Sequence, residues 1–288
     1  MKGRLHTFND IKYFWKKLGP GLITGSSDDD PSGIATYSQA GASFGLATLW
    51  TALFTFPMMA TIEEMCARVG LVTRQGLARN IKNHYPKAVL YLMLLFTFPA
   101  IILNIGANIS GMGAVGNLLF PAIDAKIFSI LFTVVMMVFI IYFPYKKIAA
   151  VLKYLCLVLV VYLLVPFFYK QDILNIIIST VIPSFTFSKE YIAILVGILG
   201  ATISPYLFFW QAAMEVEEVN HMKKRLVINR KTITEARKDV NTGMFFSNLV
   251  MYFIILTTGT VLFNAHIHHI ETVEQAAEAL KPLAGDAA

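Results

Sequence analysis

The apolar residues of this chain fall into separate blocks, each long enough to cross a hydrocarbon layer as a helix. Five blocks are continuous, at 46–69, 88–119, 127–143, 148–168 and 240–263. Two more, 19–44 and 191–214, have apolar flanks around a polar or proline-bearing centre. Seven spans follow, and the fold class is an all-α polytopic membrane protein. Composition agrees. Only 15% of the 288 residues are charged and 56% are apolar, whereas a soluble domain is about 25% charged. Cys66 and Cys156 lie in or beside apolar blocks and read as reduced packing residues, with no CxxC metal spacing. The N-terminus is basic and polar, without the apolar run of a cleavable leader.

The net charge of +6 is spread over short segments between the blocks, which argues for a bilayer partner and against nucleic acid. With the N-terminus inside and strict alternation, 20 of the 24 Lys and Arg fall on the cytoplasmic side. Lys126, Lys170, Lys189 and Lys281 remain outside. Such a bias is what the positive-inside rule predicts, and it holds only if 19–44 is counted as a span. The expected organisation is a cytoplasmic tail (1–18), a transmembrane domain (19–265) and an extracytoplasmic polar tail (266–288).

The interrupted spans constrain function. Asp30-Pro31-Ser32-Gly33 and Thr202-Ile203-Ser204-Pro205-Tyr206 each place proline where a helix should continue, and proline removes a donor and clashes with the preceding turn. Unwound backbone at membrane depth is tolerated only where it is buried in protein or lines a cavity. If spans one to five form one repeat (19–168) and span six begins the next (189–265), the two breaks occupy equivalent positions. That pattern is the best sequence pointer to a transporter's binding site. A carboxylate at mid-membrane costs at least about 2.5 kcal/mol, and Asp28-Asp29-Asp30 puts three there with no basic residue nearby except Arg68 toward a helix end. A metal cation is the natural counter-charge for Asp30. Asp28 and Asp29 read as solvated in an aqueous vestibule, Asp29 remaining an accessory candidate.

Gly19-Pro20-Gly21, Asp30-Pro31-Ser32-Gly33, Ala35-Thr36 and Gln39-Ala40-Gly41-Ala42 through Phe44-Gly45 resemble the first helix of the NRAMP divalent-metal transporters. Ala67-Arg68-Val69-Gly70-Leu71-Val72-Thr73 and Gly197 through Pro205 resemble its second and sixth helices. The resemblance implies a LeuT-type inverted-repeat fold with broken helices one and six and a metal site between the breaks. Asp30 then matches the family's metal-binding aspartate, Ala201 the alanine offering its carbonyl, and Gly33 stands at the asparagine position. Ser204 replaces the methionine ligand and Tyr206 the histidine, while Asn104 and Ala107 occupy third-helix positions that are acidic in transition-metal members. A complete member has at least ten spans, so the chain is expected to be a fragment or to borrow helices from a partner.

These departures have chemical content. Losing a thioether removes the ligand that favours softer ions, and oxygen donors suit Mg2+ and Mn2+. A roomier, oxygen-lined pocket suits Mg2+, which keeps several waters. The branch resembled is that of the prokaryotic NRAMP-related magnesium transporters, in a plasma membrane, with Mg2+ or Mn2+ as cargo and no resident cofactor. Without titratable residues along helices three and six, uncoupled uptake is expected. The alternatives are a proton-coupled Mn2+/Fe2+ transporter of the main NRAMP type and an organic-solute transporter of the same plan, whose anionic substrates three aspartates would repel. Without HExxH, GxSxG or a span histidine, an enzyme is not expected.

Blander roles stand beside each candidate. Ser204 and Thr202 could bond back to helical carbonyls, Gln211 could hydrate the ion or pack, and Asn104 and Asn108 read as marking close helix packing. Glu63 and Glu64 near Arg68 read as an intrahelical pair, and His266, His268 and His269 as a solvated loop.

Overall fold

The computed structural model describes residues 19–144, 147–148, 151, 172–221 and 229–270. Among these, every regular element is helical: α1 (Pro20–Asp28), α2 (Pro31–Phe44), a 3-10 turn (Gly45–Thr48), α3 (Trp50–Thr73), α4 (Leu77–His84), α5 (Lys87–Leu119), α6 (Ala125–Tyr142), α7 (Ile173–Val181), α8 (Lys189–Thr202), α9 (Pro205–His221) and α10 (Arg230–Val261). The expected span at 148–168 and Cys156 lie essentially outside the described residues. Among the described residues, four helical stretches are long and apolar enough to cross a membrane: Lys87–Leu119, Ala125–Tyr142, Lys189–Asn220 and Arg230–Val261. A fifth arises if Pro31–Thr48 and Trp50–Thr73, bent by 111° at their junction, count as one span.

Both interruptions fall where proline demands them. α1 stops at Asp28, and α2 restarts with Pro31 at its first position, capped by Asp30, whose Oδ1 accepts from Gly33 N at 2.8 Å. Proline fits there because the missing N–H would have no helical partner anyway. Pro205 likewise opens α9 after α8 closes at Ile203. Four other starts use side-chain caps: Asp124 for α6, Asp172 for α7, Ser188 for α8 and Asn229 for α10.

The centre of the fold is α10, which packs against α1, α2 and α3. Its inner face supplies Val250, Met251, Ile254, Ile255 and Leu256 to a core shared with Tyr37, Ala40, Leu49, Ala52 and Ile198. The contacts are unusually close because glycine faces backbone. A Cβ on Gly41 would sit 2.6 Å from the Ile255 carbonyl and 2.7 Å from Gly259 N, and Gly21, Gly25 and Gly243 meet in the same way. In lipid, small residues allow backbones to approach where no hydrophobic force drives helices together. A charge tie joins the same pair, since Asp239 on α10 accepts from Gly19 N at 2.8 Å and Gly21 N at 2.7 Å. By contrast α5 and α6 pack mainly on each other and expose long rows of Leu, Ile, Val and Phe, as lipid-facing helices do.

Gly41→Ala is expected to force α2 and α10 apart and cost about 1–3 kcal/mol, as overpacking does. Gly106→Ala, where nothing lies within 4 Å of the added carbon, is expected to cost nothing. Equal melting temperatures for the two variants in detergent would contradict this packing.

Candidate metal site at the paired breaks

The two breaks meet. Tyr206 Oη, on the first turn of α9, donates to Asp30 Oδ2 at 3.2 Å across 176 residues of chain. The half-buried Asp30 carboxylate collects donors from three spans. Its Oδ1 accepts from Gly33 N at 2.8 Å and Ser32 Oγ at 2.7 Å, and its Oδ2 also accepts from Asn104 Nδ2 and Asn108 Nδ2, both at 3.0 Å. Asn104 Oδ1 lies 2.8 Å from Ser32 Oγ, and Asn108 Oδ1 accepts from Ser32 N at 3.4 Å. Asn104 and Asn108 sit one turn apart on α5 and contact Asp30, although their sequence pattern reads as close helix packing. Their spacing was visible, but the partner was not, because nothing local to span three indicates that it faces the Asp30 break.

Around Gly33 there is little free room. A carbon added there would lie 3.0 Å from the Asp28 carbonyl and 3.4 Å from the Tyr37 ring, so the missing asparagine side chain leaves no open void. The Ser204 hydroxyl lies 2.8 Å from the carbonyls of both Gly200 and Ala201, the back-bonding arrangement weighed above, and it engages the Ala201 oxygen from within its own turn. Thr202 does the same with the Ile198 carbonyl at 2.9 Å. Gln211 is fully buried and bonded to Thr24 Oγ1 and, at 2.9 Å, to Glu215 Oε1.

The expectation that Asp28 and Asp29 stand in a solvated vestibule is corrected. They are 1% and 6% exposed, because the α1 C-terminus is pressed against α10. Asp28 Oδ2 accepts from Ser247 Oγ at 2.8 Å. Glu64 behaves as expected, pairing with Arg68, and adds Arg237 Nε at 3.1 Å, tying α3 to α10. Glu63 does not join that pair but turns inward, at 1% exposure. His266, His268 and His269 are all exposed, as a solvated loop requires, and His268 Nδ1 lies 3.1 Å from the Ala42 carbonyl. Among the described residues no three His, Cys, Asp or Glu are arranged to grip a bare metal ion.

The family model described as natural resistance-associated macrophage protein-like matches residues 21–288. The divalent metal cation transporter MntH of Staphylococcus saprophyticus is 26% identical over 250 residues, which is 85% of this chain and 55% of the relative. The protein of the same name from Staphylococcus aureus is 23% identical over 265 residues, 91% of this chain and 58% of its own length. The fold resembles the manganese transporter of Eremococcus coleocola solved with an aromatic bis-isothiourea compound, with a TM-score of 0.69 at 21% identity over 85% of this chain and 52% of that one. A mutant of that transporter gives 0.66 at 20% identity over 89% and 52%. The chain thus spans about half the length of the relatives it matches. From the paired helix breaks to the match over residues 21–288, the observations agree that this chain belongs to the Nramp family.

Proposed function

We propose that this chain carries the cation-binding portion of a divalent-metal transporter and that the transported ion binds at the Asp30 break. The observation that carries this reading is the bond between Tyr206 and Asp30, which brings the two interrupted helices together at a carboxylate. The side chains gathered there are carboxylate, carboxamide and hydroxyl groups without a thioether, and their oxygens suit hard cations such as Mg2+ and Mn2+. Asn104 and Asn108 lie beside Asp30, and a half-turn of either carboxamide would present an oxygen in place of the nitrogen. Gly33 and the Ala201 carbonyl complete the candidate set, with Ser204, Asp29 and Gln211 more remote from the ion.

Mg2+ is the favoured cargo, with Mn2+ admitted; the manganese and divalent-metal names of the relatives support the latter. Transport is uncoupled from protons, because the polar groups that α5 presents to the break are asparagines, which do not titrate. The N-terminal tail at 1–18 is cytoplasmic, the membrane domain occupies 19–265, and 266–288 lies outside.

Asp30→Asn and Asp30→Ala are expected to lose Mg2+ and Mn2+ binding by at least about 100-fold, since a carboxylate supplies both charge and ligand; near-normal affinity in titration calorimetry would refute the site. Tyr206→Phe deletes one bond to a charged group, worth about 1.5–3 kcal/mol, and should lower the melting temperature of the ion-free protein. In liposomes, Mg2+ entry is expected without acidification of the lumen. A pH change proportional to flux, read by an entrapped dye, would overturn uncoupled transport.

A further inference from the structure

The turn and extended stretch that follow α10 carry histidine at 266, 268 and 269, and two of these form a pair. The rings of His266 and His268 have centroids 6.1 Å apart. Backbone geometry sets this up. His266 has φ 60°, the left-handed region that ordinarily falls to glycine or asparagine at a helix end. Its N–H donates to the Phe263 carbonyl at 3.1 Å, and the Ile267 N–H to the Leu262 carbonyl at 2.9 Å. Those paired bonds are the ones that close a helix through a single left-handed residue. A side chain in that conformation carries a cost that glycine would avoid, and here it sets one imidazole beside another.

His268 is oriented by its surroundings. Its Nδ1 lies 3.1 Å from the Ala42 carbonyl. A carbonyl only accepts, so Nδ1 carries the hydrogen and the neutral ring keeps its lone pair on Nε2. Metal-binding histidines are held in this way, by a bond from the other ring N–H to a carbonyl or carboxylate. The Phe263 ring packs edge-on against the imidazole, 5.2 Å between centroids. The stretch itself is clasped to α2. The His268 carbonyl accepts from Gln39 Nε2 at 3.2 Å and Ser43 Oγ at 2.8 Å, the Ile270 N–H donates to Gln39 Oε1, and the Ile270 side chain is buried with Ala42 and Leu262.

The geometry points to a transition-metal site formed by His266 and His268, where this stretch crosses the C-terminal end of α2, taking an imidazole-preferring dication such as Zn2+ or Ni2+. Two imidazoles sharing one tetrahedral ion, each nitrogen about 2 Å from the metal, put their ring centres about 5 Å apart. A small turn of the exposed His266 ring therefore completes the pair. Among the described residues no third His, Cys, Asp or Glu joins them, so water fills the remaining positions. Imidazole suits Zn2+ and Ni2+, whereas Mg2+ keeps to oxygen ligands and water. The chain then sorts dications by ligand chemistry, with nitrogen in this loop and oxygen at Asp30. This site goes beyond the proposed function and does not depend on it.

The test is Ni2+ titration calorimetry on the full chain in detergent, without a histidine tag. Using the Asp30→Asn chain throughout removes the proposed cargo site from the count, so failure here leaves the Asp30 reading untouched. One Ni2+ is expected to bind. His266→Gln and His268→Gln should each weaken it by at least about 10-fold. Gln39→Ala, which touches no metal, should weaken it by about 2- to 10-fold, because the loop must then be ordered on binding. No binding, or binding that ignores either histidine variant, overturns the site. Binding that needs both histidines but ignores Gln39→Ala means that a loose His-x-His segment chelates unaided, and overturns a built site equally. The unaltered chain gives a second answer. Ni2+ is expected to protect His266 and His268 from diethylpyrocarbonate but not the exposed His84, whose Nδ1 also lies near a carbonyl, that of Asn80 at 2.9 Å. Equal modification of all three with and without Ni2+ overturns the proposal.

Discussion

Pro31 and Pro205 cannot accept the helices that lead into them, and inside a membrane the backbone released at each must still be satisfied. The chain meets this demand with its own side chains. Asp30 caps the helix that Pro31 begins, and Ser204 and Thr202 bond back to the last carbonyls before Pro205. Once Asp30 is committed to capping, its second oxygen faces away from α2. There Asn104, Asn108 and Tyr206 reach it from two other spans. The carboxylate that makes the break possible is thereby also the group around which the spans converge.

What could be read from the residues and what could not divide along a physical line. Both breaks were legible because proline acts locally, and the capping role of Asp30 follows from its position before Pro31. The intrahelical Glu64–Arg68 pair was legible for the same reason, being set by one turn of helix. Interactions across the bundle were not. The inward turn of Glu63 depends on which face of α3 meets α10, and α3 is too uniformly apolar for its pattern to indicate a face. The burial of Asp28 and Asp29 was missed because burial of charge is improbable a priori, and only the proximity of Gly25 to Gly243 reveals how tightly α10 covers that end of α1. The asparagines of span three were noticed and assigned to packing, since a carboxamide carries no signature of the partner it will find.

Glycine has a second role beside loosening helices. Along α10, Gly243 and Gly259 place backbone against backbone, the first beside Gly21 and Gly25 of α1 and the second beside Gly41 and Gly45. Two half-helices on either side of a break are thus both registered against one continuous helix. The break is supported by this shared packing as well as by proline.

The Asp239 carboxylate holds the Gly19 and Gly21 amides at the far end of α1, so this nine-residue rod of about 13 Å is pinned to α10 at its N-terminal end. Charge-assisted bonds of this kind are worth about 1.5–3 kcal/mol each, and they are broken only by moving the tip away from α10. The two bonds therefore fix where the N-terminal end of α1 lies along α10, at the opposite end of α1 from the Asp30 break.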